Sequence, residues 1–480
     1  MPSLVWFRND LRLADNPAFQ AALEHAGAVV PVFIHAPEEE DSWRPGGASN
    51  WWLHQSLAAL QSRLAAVGSR LLIRRGPTLE TLIALAKDTH CDAVFWNRRY
   101  EPAIIKRDSK IKEALRKEGL QAQSLNAALL NEPWEIQNLS GKPFQVFTPY
   151  WKNCLMDMEP ANPLPAPKNL PTPAKWPKSL SLDELGLEPK IDWAGGIASA
   201  WQPGEAGANA CLEKFLVRAF ADYSLQRNHP DITGTSRLSP YLHFGEISPR
   251  QIWHVIRRHA ETHRIKTWRA SQFITELGWR EFSHHLLYHC PHTADTPLRA
   301  EFKNFPWRKN AAGLKAWQKG LTGYPIVDAG MRELWTTGWM HNRVRMITAS
   351  FLIKDLLQPW QSGAQWFWDT LVDADLAQNT LGWQWTAGCG ADAAPYFRIF
   401  NPTTQGEKFD SKGSYVRHWC PELSKLPDQW IHQPPSAPHD ILDAAGIKLG
   451  LTYPKPIVDH ATAREIALES FARIKSFKES

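Results

Sequence analysis

Short apolar runs rich in β-branched and aromatic residues punctuate the first third of the chain: Leu4 to Phe7, Ala28 to His35, Arg70 to Arg75 and Cys91 to Asn97. Near-continuous hydrophobicity over so few residues predicts parallel strands buried on both faces. Amphipathic stretches near Asn16 to His25, Trp51 to Ala66, Thr78 to Lys87 and Ala103 to Glu118 lie between and after them. The alternation predicts a doubly wound α/β domain over residues 1–130. Between Pro160 and Pro177 stand seven prolines, a density that excludes helix and central strand and marks a long connector, assigned to 131–200. Beyond about Ala200 the periodicity turns helical almost throughout, so 201–480 is read as an all-α domain.

A chain of 480 residues exceeds what one core supports, in keeping with two domains. With 43% hydrophobic and 21% charged residues, neither disorder nor a fibrous protein fits. No apolar run approaches the roughly 20 residues of a bilayer span, so no membrane role is expected. Lys and Arg outnumber Asp and Glu by 54 to 49, which permits a polyanionic partner without demanding one. Six scattered cysteines without a C-x-x-C pair read as reduced thiols in a cytoplasmic protein. Tryptophan is the anomaly: there are 24, and 12 fall between Trp253 and Trp385, which suggests stacking or redox work.

No glycine-rich phosphate loop follows any strand of the first domain, which argues against a nucleotide site there. Thr235, Ser236, Arg237, Leu238 and Ser239 set hydroxyls and a guanidinium before an expected helix, where an anion is favoured. Asp373, Asp375, Asn379, Trp383 and Trp385 gather carboxylates, an amide and indoles in a short span. Glu276 and Trp279 share a helical face, as do Trp339, Asn342 and Met346, a mixture suited to a flat hydrogen-bonding ligand. The histidines 284, 285, 289 and 292 with Cys290 lack the ligand spacing of a zinc finger, and no metal is expected.

Longer motifs join these pieces. Trp6 to Arg12 with Asp15 and Asn16, Gly234 to Ser239, Thr322 to Ala329, Thr337 to Arg343, and Asp392 to Asp410 resemble the photolyase/cryptochrome flavoproteins essentially end to end. The resemblance implies an antenna domain, a long connector and a helical domain holding FAD. Tyr223 and Thr235 to Ser239 would hold its phosphates and ribityl chain, in a site to which Trp339 and Asn342 also belong. Arg345 would pair with Asp373 against the isoalloxazine, Asp375 would accept from the flavin ring or sugar, and Asn379 would face N5. Trp383, Trp360 and Trp307 match the family's electron-transfer chain. Glu276, Trp279, Asn342, Met346 and Trp385 match the pocket for a cyclobutane pyrimidine dimer, with Arg343 and Gln405 near the DNA strand.

The implied activity is light-driven repair of pyrimidine dimers in UV-damaged DNA by a deoxyribodipyrimidine photolyase, expected to be a monomer that joins the nucleoid when bound to DNA. The alternatives are a cryptochrome-type signalling photoreceptor and a six-four photolyase. Phe305 to Trp307 and Trp366 to Leu371 resemble class III enzymes and plant cryptochromes, although class I stays open. For an antenna, Glu101 matches the class I folate position and Trp51 with Trp52 a class III folate helix, so methenyltetrahydrofolate is expected ahead of a deazaflavin.

Overall fold

A computed structural model describes residues 1–476 except 26, 157 and 394–396, the last three lying within the motif from Asp392 to Asp410. The four expected strands form as β1 (Ser3–Phe7), β2 (Val29–His35), β3 (Leu72–Arg75) and β4 (Ala93–Asn97). Between and after them run α1 (Pro17–Glu24), α2 (Gly47–Ala66), α3 (Thr78–Thr89) and α4 (Pro102–Lys117). A fifth strand, β5 (Gln121–Leu125), escaped the pattern because its Gln-Ala-Gln alternation is that of an exposed sheet edge, not a buried run. The sheet is parallel throughout, in the order β3-β2-β1-β4-β5. Pro31 sits inside β2 without breaking the ladder, since β3 pairs with β2 only from Val32 onward and Pro31 has a neighbour on one side alone. Trp6, Val30, Val32, Leu72, Leu82, Val94, Trp96 and Leu115 pack one face of the sheet against its helices.

The described residues divide into two compact units. The first comprises Met1–Val217, Ser236–Pro291 and Val372–Leu376; the second comprises Arg218–Thr235, His292–Leu371 and Ala377–Ser480. Helical residues therefore join the sheet in the first unit, through buried charges. Arg12 donates to the carbonyls of Gly245 and Ala127, while Asp15 accepts from Ser248 and, at 2.5 Å, from Arg250. Arg12 and Asp15 are 1% and 0% exposed, so each needs the others to offset its desolvation.

The proline-rich connector is extended and pinned along the first unit: the Asp15 and Val29 amides donate to Leu164 and Pro171, and the Leu180 amide to Ile73 of β3. It thereby covers the β3 end of the sheet, where an exposed edge would invite pairing with another chain.

In the second unit, the helix Pro325–Thr337 packs against Asn342–Ser350, Pro402–Phe409 and Ser414–Trp419. Asp328 knots its start: it is wholly buried and accepts from the amides of Thr322 and Gly323 and the hydroxyls of Thr322 and Tyr453. Four donors satisfy the carboxylate, although burial still pushes its pKa up.

Candidate flavin and DNA site

In the second unit, the helix Leu376–Ala387 carries Asn379, Gly382 and Trp383 within little more than one turn. Asn379 donates from Nδ2 to the Ala364 carbonyl at 3.1 Å, which fixes the amide and leaves its Oδ1 to act as an acceptor. One turn on, a Cβ built at Gly382 would meet nothing within 4 Å. The helix thus offers open space beside a fixed carbonyl oxygen, which is what the edge of a flat ring bearing an N–H requires.

Trp383, 2% exposed, packs edge-on against Phe367 at 5.0 Å and against Trp317 at 6.3 Å. Its ring occupies the room left by Gly363, one turn beyond Trp360 in the helix Trp360–Thr370. Trp360 is likewise 2% exposed, whereas Trp307 is only half-buried. The Arg308 amide donates to Leu357 at 2.7 Å and Gln358 donates to the Asn310 carbonyl at 3.1 Å, fastening the Trp307 segment beside the start of the Trp360 helix. Burial therefore falls from Trp383 and Trp360 to Trp307, in the order of the expected chain.

The first unit holds Asp375 between two imidazoles, His284 Nε2 at 3.5 Å and His243 Nδ1 at 3.8 Å. Burial opposes the charge on Asp375, yet the two histidines hold its carboxyl well below the usual range, so it remains an acceptor. Asp373 is buried nearby in sequence.

The hydroxyl-rich segment is less helical than expected. The helix after it, Ser239–His243, has five residues, and Arg237 adopts a left-handed φ of 52° with its guanidinium 4.2 Å over Trp201. Any anion there would rely on Thr235, Ser236, Ser239 and the backbone, since so short a helix adds little dipole. Leu238 is buried, and in the second unit so is Tyr223, beneath Arg227 at 5.7 Å.

The helix Gln272–His289 of the first unit presents Glu276 and Trp279 on one half-exposed face, as their spacing predicts. Trp279 stacks on Phe147 at 3.8 Å and 9°. Glu276 accepts from Gln272 at 2.8 Å. Among the candidates in the second unit, Asn342 is exposed, while Met346, Trp385 and Gln405 are half-buried. Trp339 is buried beneath Arg345, whose Nε donates to the Met340 carbonyl at 2.7 Å.

The histidine cluster divides its duties. His284 faces Asp375, and His289 hydrogen-bonds the Pro133 carbonyl. His285 donates from Nδ1 to that same carbonyl and accepts the Phe144 amide at Nε2. No group of metal-ligating side chains occurs among the described residues. Phe147 and His243 had not been singled out from the sequence, because each acquires its role from a residue more than a hundred positions away.

The tryptophans expected at the antenna site are both buried. Trp52 is 0% exposed, enclosed by Trp201, Tyr241 and Phe244, and donates to Glu246; Trp51 is 6% exposed. Both rings pack in the core of the first unit. Glu101 is paired with Arg99 at 2.8 Å. At the carboxyl ends of β1 and β4, where doubly wound sheets usually take ligands, Asn97 donates to Asp10 at 2.6 Å and to Asn16 at 2.7 Å, and Arg8 pairs with Asp108 at 2.5 Å.

Comparison with known proteins agrees with this geometry. Residues 3–169 match the DNA photolyase family and residues 273–473 the FAD binding domain of DNA photolyase. The chain belongs to the photolyase/cryptochrome family. It is 49% identical to the deoxyribodipyrimidine photo-lyase of Agrobacterium fabrum across 99% of this chain and 98% of that one. It is also 43% identical to cryptochrome-2 of Arabidopsis thaliana, across 98% of this chain and 79% of the relative. The crystal structure of a bacterial class III photolyase from Agrobacterium tumefaciens superimposes with a TM-score of 0.95, covering 99% of this chain and 98% of that one.

Proposed function

We propose that this protein is a deoxyribodipyrimidine photolyase that binds UV-damaged DNA and uses blue or near-UV light to split cyclobutane pyrimidine dimers. The observation that carries the reading is Asn379, an amide anchored through its nitrogen to the Ala364 carbonyl, at the position that the family resemblance assigns to flavin N5. Bound FAD supplies light absorption and the electron that opens the dimer. Asn379 Oδ1 would be the acceptor for the flavin N5 N–H, and Asp375 would accept from the flavin ring or sugar. Arg345 and Asp373 would both serve the isoalloxazine, and Tyr223, Thr235, Ser236 and Ser239 would hold the phosphates and ribityl chain. Trp339 and Asn342 complete the flavin site.

Trp279, backed by Phe147, supplies an aromatic platform for the flipped-out dimer, and Glu276 hydrogen-bonds it where negative charge develops. Met346 and Trp385 close on its apolar edge, while Asn342 hydrogen-bonds the bases and Arg343 and Gln405 hold the strand. Trp307, Trp360 and Trp383 carry electrons inward from the surface. The class III reading is supported by the likeness to the bacterial class III photolyase structure and by the resemblance of Phe305 to Trp307. For an antenna the reading is methenyltetrahydrofolate ahead of a deazaflavin, with Glu101 as a candidate contact. The protein works as a cytoplasmic monomer that joins the nucleoid through damaged DNA. Among the described residues, no helix is long and apolar enough to cross a membrane.

The test is repair itself: flavin-loaded protein, reduced without oxygen, is illuminated with a thymine-dimer oligonucleotide and compared with a dark control. Light-dependent loss of dimers is expected. Flavin photoreduction without dimer loss would move the function to cryptochrome signalling, and loss of six-four lesions alone would move it to six-four repair.

A further inference from the structure

Arg343, at the start of the helix Asn342–Ser350, lies over the face of Phe409 at 4.5 Å and donates from Nη2 to Asn228 Oδ1 at 2.8 Å. Its Nε is buried and unpartnered, and no carboxylate pairs with it among the described residues. Burial lowers its pKa, and the neighbouring Arg227 and Arg398 act in the same direction. A guanidinium can only donate, so the Asn228 amide must present its oxygen. The segment holding Asn228 is anchored in turn, because His229 Nδ1 hydrogen-bonds the Phe409 carbonyl at 3.2 Å.

We propose that Asn228 is a positioning residue for the DNA backbone: it orients Arg343 through a neutral acceptor, so that the guanidinium stays aimed while its charge remains available to a phosphate. The inference rests on the DNA reading above. An aspartate at this position would orient Arg343 equally well but neutralise it, since a carboxylate and a guanidinium form a strong charge-assisted pair. An amide supplies direction without competing with the phosphate. Arg227, carried by the adjacent residue, adds to the same positive potential, and the aromatic face of Phe409 restricts the guanidinium without hydrating it.

The experiment measures the affinity of the flavin-loaded protein for a thymine-dimer oligonucleotide across a range of salt concentrations. The wild type is compared with Asn228→Asp, Asn228→Ala and Asn228→Ser. Asn228→Asp is expected to weaken binding about tenfold at low salt and to reduce the slope of log affinity against log salt by about 0.9, the loss of one phosphate contact. Asn228→Ala and Asn228→Ser should weaken binding about threefold with the slope unchanged, because the charge remains but is no longer aimed. Unaltered flavin absorbance verifies that each variant is folded, and the serine variant takes the place of the alanine one if the latter loses its flavin. Wild-type affinity and slope in Asn228→Asp would overturn the proposal, as would a slope in Asn228→Ala lowered as far as in the aspartate variant. A wild type whose affinity for dimer DNA ignores salt would sink the DNA reading itself, and this inference with it.

Discussion

Trp279 lies flat on Phe147, with ring centroids 3.8 Å apart and planes 9° from parallel, so one face of the indole is covered by the protein while the residue stays half-exposed. Phe147 opens a different helix, Phe147–Met156, and is 6% exposed. The stack fixes the height and tilt of the platform before any substrate arrives. Phe147→Leu keeps apolar bulk but removes the flat support. Since aromatic pairing is worth about 0.5–1.5 kcal/mol beyond buried area, dimer-containing DNA should bind about three- to tenfold more weakly. Binding to undamaged DNA should be unchanged in the same titration; an equal loss on both would mean that Trp279 does not read the lesion.

Asn379→Asp replaces an anchored amide by a carboxylate, which favours a neutral flavin over the anionic reduced form. Repair by the pre-reduced enzyme should fall by about tenfold or more, the scale on which a misplaced charge in a catalytic site acts. Turnover of a thymine-dimer oligonucleotide under light gives the answer, with flavin content recorded in parallel. Full activity would remove Asn379 from the site.

Trp307→Phe interrupts the half-buried outer end of the tryptophan series. Photoreduction of oxidised flavin, followed by absorbance under blue light, should slow at least about tenfold. Repair by chemically reduced protein should stay near the wild-type rate. Loss of both would mean that electrons reach the flavin by another course, or that the substitution harms the fold.

His285 supplies a pH prediction. Burial, with a smaller contribution from His289, lowers its pKa from 6.5 to about 4, and the Phe144 amide needs its neutral Nε2 as an acceptor. A base with a depressed folded pKa gives stability that is intact above the unfolded value of 6.5 and is lost as pH falls from there toward 4. Between about pH 7 and pH 5 the loss should be about 2 kcal/mol. Chemical denaturation at the two pH values should show it in the wild type and a flatter response in His285→Gln. Equal acid sensitivity in both proteins would assign the effect to other groups.

The strand and helix pattern of residues 1–117 was legible because a sheet buried on both faces writes itself as short apolar runs. β5 was not, because an edge strand with polar alternation looks like a loop. The Glu276 and Trp279 face followed directly from the helical repeat of 3.6 residues, whereas Asn379 and Trp383 stood out only by composition. By contrast, Trp51 and Trp52 read equally well as a ligand face or as core. Only the enclosure of Trp52 by Trp201, Tyr241 and Phe244 decided between them.

By itself the sequence determined the alternation of elements, the connector and the motifs that place the chain in its family, since all of these depend on local periodicity and on runs of neighbouring residues. Tertiary structure alone decided which aromatic rings became core and which stack half-exposed, as Trp279 does on Phe147. It also made His243 and His284 flank Asp375, and it gave Arg343 an amide in place of a carboxylate. Each of those relationships joins residues dozens to hundreds of positions apart, whose meeting is set by the packing of whole elements and leaves no trace in spacing.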